Sequence, residues 1–293
     1  MTTRFRPTPT CDLHLGHLWV AWHNWVDAAR GGDQFLVIMD DICYNLQNVW
    51  QAKWPPHVFA ERFAEDFAWA GIPCAAVHYS TTQAEAHAQA AEALGYSRCA
   101  MTGYTSFDTR TILSRETHAP PVDAYHEWLT LTRVVDDHEC GVQAFTRGAD
   151  LIGERQLYDH MWRRLYPAGL PPRQTYVPCV RRANSEKKES TGAQAASVRQ
   201  LRDAGYSAEE LLGTLQECAR LSTEAGLADV VIPDGVLSLN EHRPLTPQTW
   251  AENLRLNARH QALEPWGEDV IVTVERVIGR VQRGGTRGPT DER

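Results

Sequence analysis

Two histidines, His14 and His17, enclose Gly16 in the run Asp12-Leu13-His14-Leu15-Gly16-His17. In the first turn of a helix, residues three apart lie on one face, and the glycine leaves no side chain where a ligand must approach the backbone. A helix N-terminus adds unpaired N–H groups and the positive end of a dipole, so the run suits an anion such as a triphosphate. Taken alone, the pair also reads as an ordinary helix start. The flanking residues bear on the choice.

Periodicity defines the elements around this run. Residues 3–6 read as a buried first strand, and Leu18, Trp22, Trp25, Val26 and Ala29 share one helical face up to Gly31-Gly32. Phe35-Leu36-Val37-Ile38-Met39 is a continuous apolar run of strand length, the type expected in a parallel sheet covered on both faces, and it delivers Asp40 and Asp41 to its carboxyl end. Strand, helix, strand with polar residues at the carboxyl ends makes a Rossmann-like half. Phe59, Phe63, Phe67 and Ala70 form the next helical stripe, closed by Gly71. Val77-His78-Tyr79 is a short strand, and Thr81 or Thr82 is expected to cap the helix running to about Leu94.

From about 95 to 121 the pattern breaks up, as an insertion between the two halves of the sheet would. The second half follows from Tyr125-His126, with Val142 to Phe145 leading into Thr146-Arg147-Gly148-Ala149-Asp150-Leu151, then a helix to about Leu165 and a last strand at Thr175-Tyr176-Val177-Pro178. Arg181 to Gly192 is a polar loop. Beyond it the chain reads as helical, with further helices from Thr249 to about Leu263 and over 270–281, and a disordered tail from Gly284. The expectation is therefore an α/β Rossmann-like parallel sheet over 1–192, followed by a small α-helical domain over 193–283.

Composition sets outer bounds. The 293 residues, 43% hydrophobic, suffice for a packed core, and no apolar run of about 18 residues or signal-peptide pattern is visible, so a cytoplasmic location without membrane contact is expected. Seven cysteines, spread one at a time without a C-x-x-C pair, argue against a disulfide framework and a structural zinc site. A formal net charge of -8 means that an RNA partner needs a local basic patch.

The run Arg4-Phe5-Arg6-Pro7-Thr8-Pro9-Thr10 and the His14 to His17 motif after it resemble the nucleotide-binding signature of class I aminoacyl-tRNA synthetases of the glutamyl/glutaminyl group, which open with Arg-Phe-Ala-Pro-Ser-Pro-Thr-Gly. Phe35 to Asp41 is similar to the family strand ending in Ile-Glu-Asp, Tyr125-His126 to its Thr-Tyr-His, Val134 to His138 to its Val-Val-Asp-Asp-His, and Arg147 to Leu151 to its Arg-Gly-Glu/Ala-Asp-Leu. The resemblance implies activation of glutamate by ATP, with Mg2+, to an aminoacyl-adenylate and transfer to an acceptor hydroxyl, by positioning and charge stabilisation at the α-phosphate. It places His14, Gly16 and His17 at the triphosphate and Thr8 near both ATP and the amino acid. Arg4 and Arg147 fall at the side-chain carboxylate, which their planar forks suit. Tyr125 and Arg133 join them, and Asp40 pairs with the α-ammonium. Arg147 also has a plain reading as a structural ion-pair partner. Of Asp136 and Asp137, one is expected to face the site and the other to brace the sheet.

Several departures stand beside the resemblance. Arg6 replaces a small alanine, Ile38 replaces an arginine, and Arg133 stands where glutamyl enzymes have an asparagine. The second signature, Lys-Met-Ser-Lys-Ser in the family, reads Ser185-Glu186-Lys187-Lys188-Glu189-Ser190-Thr191; its phosphate-steadying lysine falls to Lys188, with Lys187 beside it, because the alternative, Glu189, would repel a triphosphate. The cysteine cluster with which many relatives hold zinc is missing. The chain length resembles the glutamyl-queuosine tRNA(Asp) synthetases, which lack an anticodon-reading domain. The alternatives are a paralogue passing glutamate or a related acid to a small molecule or carrier protein, and a non-catalytic synthetase-like binding protein.

Overall fold

The computed structural model describes residues 1–42, 54–95, 124–183, 196–233, 236–239 and 246, with side chains from residue 127 onward in the third segment. They fall into two compact units. The first comprises Met1–Asp12 with Val20–Val177, and the second Leu13–Trp19 with the chain from Pro178 onward. The first unit closes at Val177.

The first unit is an α/β layer structure. Five strands, β1 (Thr3–Phe5), β2 (Phe35–Met39), β3 (Ala76–Tyr79), β4 (Ala144–Gly148) and β5 (Arg173–Val177), form one sheet in the order β3-β2-β1-β4-β5. Every pairing is parallel. The chain builds outward from β1 in one direction and then crosses to β4, so the topological switch point, where open α/β sheets bind ligands, lies between β1 and β4. All five residues of β2 are buried, as its unbroken apolar run requires.

Helices cover both faces. On one, α2 (Pro56–Trp69) buries Phe59, Phe63 and Phe67, and the Phe67 ring meets Phe5 and Phe35 edge-on at 5.8 and 6.1 Å. Gly71, at φ +70°, ends that helix, because its left-handed turn strains any residue with a Cβ. On the other face, α3 (Ala84–Ala93), α4 (Ala124–Glu139) and α5 (Arg155–Leu165) enclose a core that joins Ile38 and Phe145 to Trp128, Leu131, Val135, Tyr158 and Trp162. The α1 helix (Leu15–Gly31) is tied to the sheet through Asn24, whose side-chain amide both donates to the Thr146 carbonyl (2.8 Å) and accepts from its N–H (2.7 Å).

Two local expectations are corrected. The helix after β3 is preceded by a 3-10 turn, Ser80–Gln83, and takes no side-chain cap. Thr81 instead gives its N–H and hydroxyl to Asp41, and Thr82 donates to the Tyr79 carbonyl. In the second unit the helices α6 (Val198–Asp203) and α7 (Ala208–Glu224) are present, each opened by a serine capping box, but β6 (Val180–Arg182) and β7 (Val230–Ile232) also pair in parallel beside them. Three-residue strands carry too little alternation to be read from the sequence. The helices expected over 249–263 and 270–281, the tail, and almost all of the insertion lie outside the described residues.

Candidate functional site

Within the first unit, polar groups gather at the carboxyl ends of β1, β2 and β4. Arg4 and Arg6 are two apart and meet consecutive acids of α4. Arg4 donates from Nε and Nη2 to the two oxygens of Asp137, both at 2.8 Å, and Tyr158 adds its hydroxyl at 2.8 Å. Arg6 donates from Nη1 to Asp136 at 2.5 Å and from Nε to Asp40 at 3.4 Å. The Val-Val-Asp-Asp-His block is therefore helical, and both of its aspartates hold arginines.

These contacts bear on two expected roles. Arg4 is 4% exposed, bound in a fork to a fully buried carboxylate and laid over the Phe145 ring at 3.9 Å. Its fork serves Asp137, so the role at a substrate carboxylate expected of it is not the one its contacts show. Asp40, 2% exposed, already has a resident cation in Arg6, with which a substrate ammonium would have to compete.

The Arg6 cluster is tightly built. Besides Arg6, the Asp136 carboxylate accepts from the Ser80 hydroxyl at 2.6 Å and lies 2.7 Å from His87 Nε2. Burial alone would raise the pKa of Asp136; the charge of Arg6 and the bonds from His87 and Ser80 outweigh it and hold the carboxyl below its ordinary range. For Arg6 burial opposes the charge, and Asp40, Asp136 and Asp137 more than offset this, keeping the guanidinium charged. Nothing local in the sequence marks Ser80 or His87 as members of this cluster.

A second cluster surrounds Arg147 at the end of β4. The β4–β5 register sets Arg147 opposite Tyr176 and Phe145 opposite Gln174, so Gln174 and Tyr176 project on the Arg147 side of the sheet. Arg147 Nη2 donates to Gln174 (3.0 Å) and Tyr176 (3.4 Å), and Nη1 to Glu154 (3.1 Å). Glu154 also accepts from Arg133 Nη1 at 2.5 Å, so one carboxylate serves both arginines. Arg147 Nε is buried without a hydrogen-bond partner among the described residues. Burial, with Arg4 and Arg133 nearby, lowers the pKa of Arg147, while Tyr176 and Glu154 oppose the shift. Arg133 and Arg147, expected at one site, are brought together, and Glu154 between them is a residue the sequence did not mark.

The run from Leu13 to His17 belongs to the second unit. His14, 7% exposed, precedes α1, and its Nδ1 accepts the His17 N–H at 3.3 Å while the two rings stack at 3.7 Å. Leu13 accepts from Val198 N–H at 2.7 Å, and His14 is bridged to Ser197. Residues 184–195, with Lys187 and Lys188 among them, lie outside the described residues, as does the Tyr125 side chain. Thr8 is half-buried, and its carbonyl accepts the Thr10 N–H at 2.9 Å.

No family model matches the chain. Among curated proteins it is 31% identical over 112 residues to glutamate–tRNA ligase 2 of Dinoroseobacter shibae, a stretch covering 38% of this chain and 23% of that protein. It is 37% identical over 93 residues to glutamate–tRNA ligase 2 of Anaplasma marginale, covering 31% and 18%. The matched stretch thus spans about a quarter or less of each relative. Among solved structures, a glutamate–tRNA synthetase from Elizabethkingia anophelis shares the fold at TM-score 0.54 and 13% identity, over 96% of this chain and 74% of that one. Over these stretches the chain is similar to glutamate–tRNA ligases, and it shares the fold of the solved synthetase. Tyrosyl-tRNA synthetase from Aeropyrum pernix shares the same fold at TM-score 0.55 and 14% identity, over 97% and 90%. Among the described residues no helix is long and apolar enough to cross a membrane.

Proposed function

We propose that the chain is an ATP-dependent ligase that activates glutamate or a closely related dicarboxylic acid and passes it to tRNA. A carboxylate oxygen of the acid attacks the α-phosphorus of ATP, pyrophosphate leaves, and an acyl-adenylate forms; an acceptor hydroxyl then attacks the acyl carbon and AMP leaves. His14, Gly16 and His17 contact the triphosphate, and Lys188, with Lys187 beside it, steadies its charge. Arg147 and Arg133 receive the side-chain carboxylate, and Tyr125 and Thr8 complete the acid's surroundings. Magnesium enters as the counter-ion of ATP, since the described carboxylates at the sheet edge are committed to arginines and a threonine and do not fit a resident ion. The acceptor in this reading is the queuosine-bearing anticodon of tRNA(Asp).

The observation that carries the reading is the bridge between His14 and Ser197, which ties the first signature to a residue just past the segment holding Lys187 and Lys188. Pyrophosphate exchange into ATP, measured without tRNA, is expected with glutamate or glutarate, and Lys188→Ala is expected to cut it roughly 100-fold. Labelled acid is then offered to tRNA with and without queuosine; label on the modified tRNA alone supports the acceptor. No exchange with any dicarboxylic acid, with or without tRNA, would sink the enzymatic reading. Exchange without label on any tRNA would move the acceptor to a small molecule or carrier protein.

A further inference from the structure

The Arg133–Glu154–Arg147 cluster differs from the other ion pairs at the sheet edge in exposure. The side chains of Asp40, Asp136 and Asp137 are at most 2% exposed, whereas Glu154 is 18% exposed and Arg133 17%. Glu154 ends the 3-10 turn Ala149–Glu154, which takes no side-chain cap, and its carboxylate reaches back to both guanidiniums. The deep pairs are sealed, and this one is within reach of a solute.

The donor count at Arg147 points the same way. Nη1 is given to Glu154 and Nη2 to neutral groups, while the buried Nε has no hydrogen-bond partner among the described residues. A buried unpaired donor on a cation is costly, and an added acceptor would offset that cost. In charge, two guanidiniums share one carboxylate, which leaves the cluster one positive charge in excess. A ligand carboxylate brings one negative charge and makes the cluster neutral. A phosphate dianion would overshoot and face Glu154 as a like charge.

We propose that Glu154 is a specificity-determining residue: it holds the Arg133–Arg147 pair at a single excess positive charge, so that the site takes one carboxylate in competition with Glu154 and turns away phosphate-type dianions. This rests on the reading of Arg147 as the acid-binding arginine. Glu154 sets affinity as well as charge. It attracts the same donors that the acid needs, and its removal strengthens acid binding rather than weakening it.

Glu154→Gln keeps the size of the side chain and one acceptor oxygen, the number that Arg133 and Arg147 share, and removes its charge. Calorimetric titration of the purified protein with glutamate and with glutarate is expected to show about tenfold tighter binding for Glu154→Gln than for the unaltered chain. Inorganic phosphate, inert toward the unaltered chain, becomes a competitor of the acid in the variant. In exchange assays the change appears chiefly as a fall in KM for the acid. A merely structural glutamate would instead give weaker or unchanged binding and no phosphate competition, and either result overturns the proposal. Thermal melting of Glu154→Gln beside Glu154→Asp, which keeps the charge, separates misfolding from loss of charge; tighter binding in the charge-retaining variant as well would also overturn it. If neither protein exchanges pyrophosphate but the variant binds acid more tightly, the ligase reading fails and the role of Glu154 stands. If no acid binds either protein, both fail.

Discussion

Among single residues, the two arginines of the opening run do different work from the arginine of β4. Arg4 is bound in a fork to Asp137 with both residues sealed from solvent, and such a pair offsets its desolvation only while both partners remain. Arg4→Met should therefore cost about 3–5 kcal/mol, by stranding the Asp137 charge, and the double variant Arg4→Met/Asp137→Leu should recover most of it. Urea unfolding of the four proteins of this cycle measures the coupling. A double variant no more stable than Arg4→Met would show that the pair does more than balance its own charge. The resemblance puts Arg4 beside a ligand, since a sequence motif records which residue types occur and not whose oxygens fill their donors. Arg147, whose Nε has no hydrogen-bond partner among the described residues and whose partner Glu154 is partly exposed, fits a ligand-facing role better.

At the level of elements, the sheet and its helices follow from patterns in the chain. The apolar run of β2, the Phe59, Phe63 and Phe67 stripe of α2 and the closing Gly71 all lie where local periodicity puts them, because burial against a sheet imposes its period on the sequence. The attachment of α1 to β4 has no such signal. It depends on Asn24, 1% exposed, whose amide supplies Thr146 with the backbone-like pairing that the sheet does not. Asn24→Ala is expected to leave a buried N–H and carbonyl unpaired and to lower stability by roughly 3 kcal/mol, measured by urea unfolding. A loss under about 1 kcal/mol would mean that water or a shift of α1 satisfies Thr146 instead. The β6–β7 pair shows the same limit from the other side, being too short to announce itself and visible only as a tertiary pairing.

Across the molecule, the division into two units gives each its own core. Leu201, Leu211, Leu215, Leu221 and Val231 of the second unit are fully buried. Leu215→Ala should cost about 2–5 kcal/mol. In native-state hydrogen exchange the loss should fall on the amides of α6, α7 and β7, because units with separate cores open separately. An equal loss of protection in β2 would instead mark the two units as one cooperative structure. The class of fold, the order of the strands' carboxyl-end residues along the chain and the resemblance to class I synthetases are all legible in the sequence, since they rest on periodicity and on residue types at short spacing. That Arg4 belongs to Asp137, that Arg6 joins Asp40 to Asp136, and that Glu154 lies between Arg133 and Arg147 emerges only once the chain is packed. Those pairings link residues up to 133 positions apart, and hydrogen bonds between side chains so distant in sequence are set by how the sheet and α4 pack, which no local pattern encodes.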